Sequence, residues 1–133
     1  MTDAVPPEAA DLLQSEPLMA HLATCRDGRP HVAPLWYHYD DEREAVEVTT
    51  AGRKLANLRE NPRAAVSVQK DVDGRAQWMV TLLGTATVVE DEAETRRAAA
   101  RINGKYGADA SDYPENALVR IDVGSATYQT YPE

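Results

Sequence analysis

The chain has 133 residues, enough for one domain with a single sizeable core, and 22 Asp and Glu against 14 Lys and Arg give it a net charge of −8. So acidic a surface repels nucleic acid and anionic membrane. No apolar run reaches bilayer-spanning length and no basic-then-apolar leader opens the sequence, so the cytoplasm is the expected location. Cys25 is the only cysteine, which excludes an intrachain disulfide and a cysteine-built zinc site; His21, His31 and His38 lack a helical metal spacing, so no metal is expected.

Residues 1–133 read as one domain, with residues 1–6 as a short tail. Residues 7–14 suit a first helix, because proline is at home at a first helical position and Leu12 and Leu13 give it a buried side. Residues 18–24 alternate as a strand, with Leu18, Ala20 and Leu22 on one face. Asp27-Gly28 supplies the positive φ of a tight hairpin turn. A second strand spans about residues 30–39, with Ala33, Leu35 and Tyr37 on one face and Val32, Pro34, Trp36 and His38 on the other. Pro34 has no N–H for a ladder, so this strand is an edge or is bulged there. An edge beside an indole is a place for a flat ligand to meet backbone.

Asp40-Asp41-Glu42-Arg43 turns the chain and lacks the spacing of a calcium loop. Residues 45–50 form a third strand with Val46 and Val48 inward. A helix from Gly52 stops at Asn61-Pro62, since a residue before proline avoids helical geometry; Leu55 and Leu58 pin it to the sheet. Residues 64–69 are a fourth strand with Ala64, Val66 and Val68 inward, and Asp73-Gly74 turns it into a long fifth strand, residues 76–89, with a bulge or bend at Gly84. Asp91 caps a helix whose Glu94 stands three residues on; it runs to about Asn103 and ends at Gly104 and Gly107. After a polar loop at residues 109–115, residues 118–123 and 126–131 form final strands around Gly124. Six or seven strands in mostly hairpin order predict a closed antiparallel barrel with short helices. Neither a Rossmann glycine fingerprint nor a P-loop is present.

The stretch Val48-Thr49-Thr50-Ala51-Gly52-Arg53-Lys54-Leu55-Ala56-Asn57-Leu58 holds the sharpest chemistry. Two cations stand side by side at a helix start, where each opposes the macrodipole by about 0.3–1 kcal/mol. An anion bound there reverses that sign, because free N–H groups, threonine hydroxyls and both cations converge on it. Phosphate is the natural occupant; the alternative is a solvated basic turn. His31 and His38, at strand ends, are either ligand donors or solvated, and Cys25 reads as a bystander. Only Lys54, Lys70 and Lys105 are lysines and Phe is absent. That balance is like that of proteins from salt-loving archaea, and equally like the products of a high-GC bacterial genome.

Ala23-Thr24-Cys25-Arg26-Asp27-Gly28-Arg29-Pro30-His31, then Pro34-Leu35-Trp36, Thr49-Thr50-Ala51-Gly52-Arg53-Lys54-Leu55-Ala56-Asn57-Leu58 and Asn61-Pro62-Arg63 together resemble the flavin-binding split-barrel family. That family includes pyridoxamine 5′-phosphate oxidase and the deazaflavin-dependent oxidoreductases. The resemblance implies a six- to seven-stranded antiparallel split β-barrel, a homodimer with the cofactor at the subunit interface, and a small-molecule substrate. It implies flavin mononucleotide (FMN) as cofactor, or the deazaflavin factor 420. By resemblance Arg53 and Lys54 hold the cofactor phosphate with Thr49, Thr50 and Asn57. Val32, Ala33, Pro34 and Leu35 run under the isoalloxazine ring, and Gln77 and Trp78 approach from the partner subunit. Pyridoxamine phosphate oxidases carry an Arg and a Lys on the second strand; Pro34, Trp36 and Tyr37 stand there instead, so B6-vitamer oxidation is not expected. The implied activity is hydride transfer to or from an unidentified small molecule. A factor-420-dependent reductase and a non-catalytic flavin store or sensor are the alternatives. The factor-420 tail would need a basic groove, for which Arg59 and Lys70 are available. No residue stands out as general acid or base.

Overall fold

The computed structural model describes residues 4–131 of the chain. The expected tail falls partly outside these residues; within them Val5 is buried and its N–H donates to Glu44 Oε2 at 2.9 Å, so the chain is docked by residue 5. Helix α1 (Pro7–Leu13) follows, with Ala9, Ala10 and Leu13 buried. Strands β1 (Ala20–Arg26) and β2 (Arg29–Leu35) form a hairpin whose turn residues, Asp27 at φ 52° and Gly28 at φ 74°, take the left-handed conformation that Asp-Gly favours. Strands β3 (His38–Asp40) and β4 (Ala45–Thr50), helix α2 (Gly52–Glu60) and strand β5 (Arg63–Val72) come next. The chain ends with β6 (Arg75–Val89), α3 (Glu92–Lys105) and β7 (Ala117–Thr130).

All seven strands pair antiparallel in the order β2-β1-β5-β6-β7-β4-β3. The sheet curls around Leu22, Val46, Val48, Val66, Val68, Val80, Leu82 and Ile121, all almost fully buried. Its end strands β2 and β3 are adjacent in sequence, yet no ladder joins them among the described residues. The barrel is therefore split, and β2 keeps one free backbone edge, as Pro34 requires.

The strand expected over residues 30–39 breaks in two at Trp36 and Tyr37. The backbone of Tyr37 has other partners: its N–H donates to Tyr106 Oη at 3.4 Å and its carbonyl accepts from Lys105 Nζ at 3.2 Å. Side chains at the end of α3 thus replace the ladder. The two strands expected at the C-terminus are one, β7. Leu83 pairs with Ser125 and Gly84 with Val123, so Gly124 is the extra residue of a bulge and not a break. Gly84 is the crossing point: a Cβ there would run into the carbonyl oxygen of Asp122. Helix α3 begins as expected, with Asp91 Oδ1 accepting from the Glu94 N–H at 2.9 Å, and continues to Lys105. It lies over the outer face of β4, which is why β4 is buried on both sides.

Candidate cofactor-binding site

The split in the barrel is a cavity of about 480 Å³. One wall is the free end of β2 and the residue after it, Pro34, Leu35 and Trp36. The opposite wall is the end of β4 and the start of α2, with Thr49, Thr50, Ala51 and Lys54. Met19, Ile102, Asn103, Tyr113 and Asn116 complete it. Lys54 is the only charged residue in that lining.

The start of α2 is uncapped and cationic. Its N-cap, Ala51, offers no side-chain hydrogen bond, and no acid stands in the first turn. Gly52 opens the helix at φ 68°, a conformation that side chains rarely adopt. The first N–H groups are thereby left without an internal acceptor. Arg53 and Lys54, adjacent in sequence, diverge: Lys54 faces the split, while Arg53 lines a second cleft of about 380 Å³. That cleft also holds Arg26, Arg29, His31 and Asn57. Arg26 is paired with Glu60 at 2.9 Å, and His31 Nδ1 is buried with no hydrogen-bond partner. Asn57 is buried and donates from Nδ2 to Thr24 Oγ1 at 3.0 Å, so it ties α2 to β1.

Of the residues singled out from sequence, Pro34, Leu35, Thr49, Thr50 and Lys54 meet at the split, and Arg53 and Asn57 meet at the adjoining cleft. Val32 is 65% exposed on the outer face of β2, and Ala33 between them is half-buried; neither lines either cavity. Trp78 is 6% exposed and packs in the core of its own chain, and Gln77 beside it is half-buried. Arg29, Arg26, Tyr106 and Tyr113 are the residues that sequence reasoning missed. Trp36 stacks on Tyr106 with ring centroids 4.8 Å apart and planes at 4°, and meets Tyr113 edge-on at 6.0 Å. The tyrosines arrive from α3 and the following loop, too far along the chain for any local pattern to connect them to Trp36.

Lys105 braces this wall. Its Nζ lies 3.9 Å from the Tyr37 ring centroid, and burial lowers its pKa to about 8. Burial also pushes the Tyr106 phenol up, and it pushes the Tyr37 phenol up further; the Tyr37 hydroxyl donates to the Leu13 carbonyl at 2.6 Å. The Lys105 shift has a stability consequence. Between pH 8 and about 10.4 the unfolded chain binds more protons than the folded one at this site, so stability contributed here rises with pH. Chemical denaturation across that window should show the wild type gaining on Lys105→Met as pH increases. Burial and the Arg101 charge lower the pKa of His38, against the opposing pull of Glu47.

A split antiparallel barrel with an uncapped, cationic helix start at its opening is the architecture of a cofactor-binding barrel. The family model described as pyridoxamine 5′-phosphate oxidase matches residues 5–130. The chain belongs to this family of flavin-binding split barrels. Among solved structures it is similar to an F420 reductase, at 25% identity and TM-score 0.74 over 92% of this chain and 98% of that one. It is also similar to a FAD-binding protein from Mesorhizobium loti, at 23% identity and TM-score 0.76 over 97% and 96%. A conserved hypothetical protein from Mycobacterium tuberculosis aligns at 24% identity and TM-score 0.75 over 100% and 90%. No curated protein matches. No helix among the described residues is long and apolar enough to cross a membrane.

Proposed function

We propose that the protein is an FMN-dependent oxidoreductase that transfers hydride to or from a small molecule. One observation carries this reading: Pro34, Leu35 and Trp36 converge with Thr49, Thr50 and Lys54 on a single cavity at the uncapped start of α2. The free edge of β2 at Pro34 and Leu35 would hold the ring through backbone groups. Lys54 and Arg53, with the free N–H groups of the helix start, would hold the phosphate. FMN supplies the hydride chemistry when bound; the chain binds it, orients it and excludes water. B6-vitamer oxidation is not proposed. Arg120, the one base after Lys105 in the sequence, is committed to Glu47 at 3.1 Å and so is not offered to a phosphorylated substrate.

The deazaflavin factor 420 is the second reading. The cleft beside Arg53 also holds Arg29, with Asp27 in the same lining and Arg26 paired to Glu60, and carries positive charge beyond the split, as a longer anionic cofactor needs. Lys70, by contrast, is paired with Glu16 at 2.7 Å and is not offered to a tail.

The partner is a second copy of the chain. The outer face of β2, β1, β5, β6 and β7 sets in register Val32, Ala23, Ala65, Leu83 and Ser125, and beside them Pro34, His21, Ser67, Thr81 and Thr127. None of these is Asp, Glu, Lys or Arg, in a chain with 27% charged residues. Leu83 is 54% exposed at the middle of this face. An uncharged face with an exposed leucine at its middle supports this reading. Leu83→Glu should convert the dimer to monomer in sedimentation analysis and weaken FMN binding at the same time.

Turnover is tested by mixing the FMN-loaded protein with NADH or NADPH under anaerobic conditions, then admitting a quinone acceptor. Bleaching and recovery of the flavin at catalytic rates supports the enzyme. A flavin that stays oxidised with both donors makes the protein a carrier.

A further inference from the structure

A cavity of about 770 Å³, larger than the one assigned to the cofactor, lies elsewhere on the chain. It is a groove between α3, the end of β6 and the loop that leads to β7. Its floor is apolar, with Val88, Ala99, Ala100 and Ala117. Its rim carries Glu90, Asp112 and Glu115, none of them ion-paired among the described residues. Against these stand two cations, Arg59 and Arg96, and Arg96 is already within 3.9 Å of Glu92. An apolar floor under a rim of unpaired carboxylates selects an occupant that is apolar and positively charged.

Tyr113 lines both this groove and the cavity at the split. It is 53% exposed and meets Trp36 edge-on. Its φ of 58° is in the left-handed region, which bulky residues rarely enter. The loop fixes that conformation from both sides. Buried Asn103 Nδ2 donates toward the carbonyls of Asp109, Ala110 and Asp112 at 3.1, 3.3 and 3.1 Å, and the Asn116 N–H donates to the Tyr113 carbonyl at 3.1 Å. A strained backbone that survives only because its surroundings over-determine it is a feature of functional loops. Here it sets one half-exposed aromatic ring between two cavities, and an aromatic ring attracts a cation.

We propose that this groove binds an apolar organic cation, a flat amine or its quaternary analogue, and that Tyr113 positions it against the cofactor cavity. That the cation is the substrate rests on the flavin reading above; the binding itself does not. The test uses two probes of similar size and opposite charge, proflavine and anilinonaphthalene sulfonate. They are titrated into the full chain, with and without FMN. At about 0.5 M NaCl the screening length is about 4 Å, which suppresses loose attraction to the acidic surface.

Proflavine should bind at one site per chain and at least about tenfold more tightly than the anionic probe. Neutralising the rim with Glu90→Gln, Asp112→Asn and Glu115→Gln together should weaken proflavine about tenfold and leave the anionic probe unweakened. Ala100→Arg should abolish proflavine binding by filling the floor, and both of these proteins should keep wild-type FMN affinity. Tyr113→Ala should weaken proflavine while Tyr113→Phe preserves it. Equal affinity for the two probes, or proflavine binding indifferent to the rim and to Ala100→Arg, overturns the proposal. If FMN fails to bind the wild type while proflavine follows this pattern, the flavin reading falls and the groove stands.

Discussion

Replacing Arg53 and Lys54 together by alanine should weaken FMN binding by about a thousandfold, with the larger share lost at whichever residue meets the phosphate directly. A hydrogen bond to a charged group contributes about 1.5–3 kcal/mol, or about ten- to a hundredfold in affinity, for each cation. Fluorescence titration of FMN measures it. The same substitutions should act in the opposite direction on the cofactor-free protein. Two cations at the start of α2 oppose its dipole, and no acid in the first turn offsets them. Removing them should therefore raise the stability of the empty protein, by about 0.3–1 kcal/mol per residue. A solvated basic turn would give that stabilisation and no loss of FMN affinity. The two single variants separate the cavities as well, because Lys54 faces the split and Arg53 the cleft beside His31.

Glu47→Ala should cost about 3–5 kcal/mol of stability, a drop of about 10–15 °C in the melting temperature. Glu47 is 3% exposed and stands at the junction of β4, β7 and α3. Its Oε1 accepts from Arg101 Nη1 at 2.9 Å and its Oε2 from Arg120 Nη2 at 3.1 Å; Arg120 also donates to Glu94 at 3.3 Å. Burial pulls the Arg120 pKa down, but hydrogen bonds and charge from Glu47, and then from Glu94, outweigh it and hold the guanidinium above its ordinary value. Deleting Glu47 leaves half-buried Arg120 with Glu94 as its remaining ion-pair partner and its Nε still without one, and leaves Arg101 without its buried acceptor. The double variant Glu47→Leu with Arg120→Met should recover most of the loss, since two apolar side chains remove both charges at once. Thermal melts of the three proteins check this. Recovery in the double variant separates a charge penalty from a simple packing defect.

These two sites mark how far the sequence could be read. The start of α2 was legible because its signals are local: a strand end, a glycine, two cations and an Asn-Pro stop within fifteen residues. The Asp-Gly hairpins and the bend at Gly84 were legible for the same reason. Glu47 was not. The alternation of β4 makes Val46 and Val48 inward and Glu47 outward, and an outward glutamate reads as solvated. Only the packing of α3 over that face buries it, and its partners come from 54 and 73 residues away. The break at Trp36 and Tyr37 was hidden in the same way, because Lys105 and Tyr106 supply the replacement hydrogen bonds. The divergence of Arg53 and Lys54 follows from the rotation of about 100° between consecutive helical residues. Which cavity each would meet depends on the β1–β2 turn, which no pattern within α2 reports. Tyr113 lies in a polar loop where a left-handed tyrosine leaves no sequence signature.

The most direct test of the central claim is the visible spectrum of the protein after incubation with FMN and passage through a gel-filtration column. The flavin reading predicts bands near about 370 and 450 nm that travel with the protein, in equal measure with its subunits. They should be lost in the Arg53→Ala, Lys54→Ala double variant. A colourless wild-type protein under the same conditions contradicts the assignment of the split as an FMN site; a single band near about 420 nm, acquired on incubation with the deazaflavin instead, would transfer the site to that cofactor.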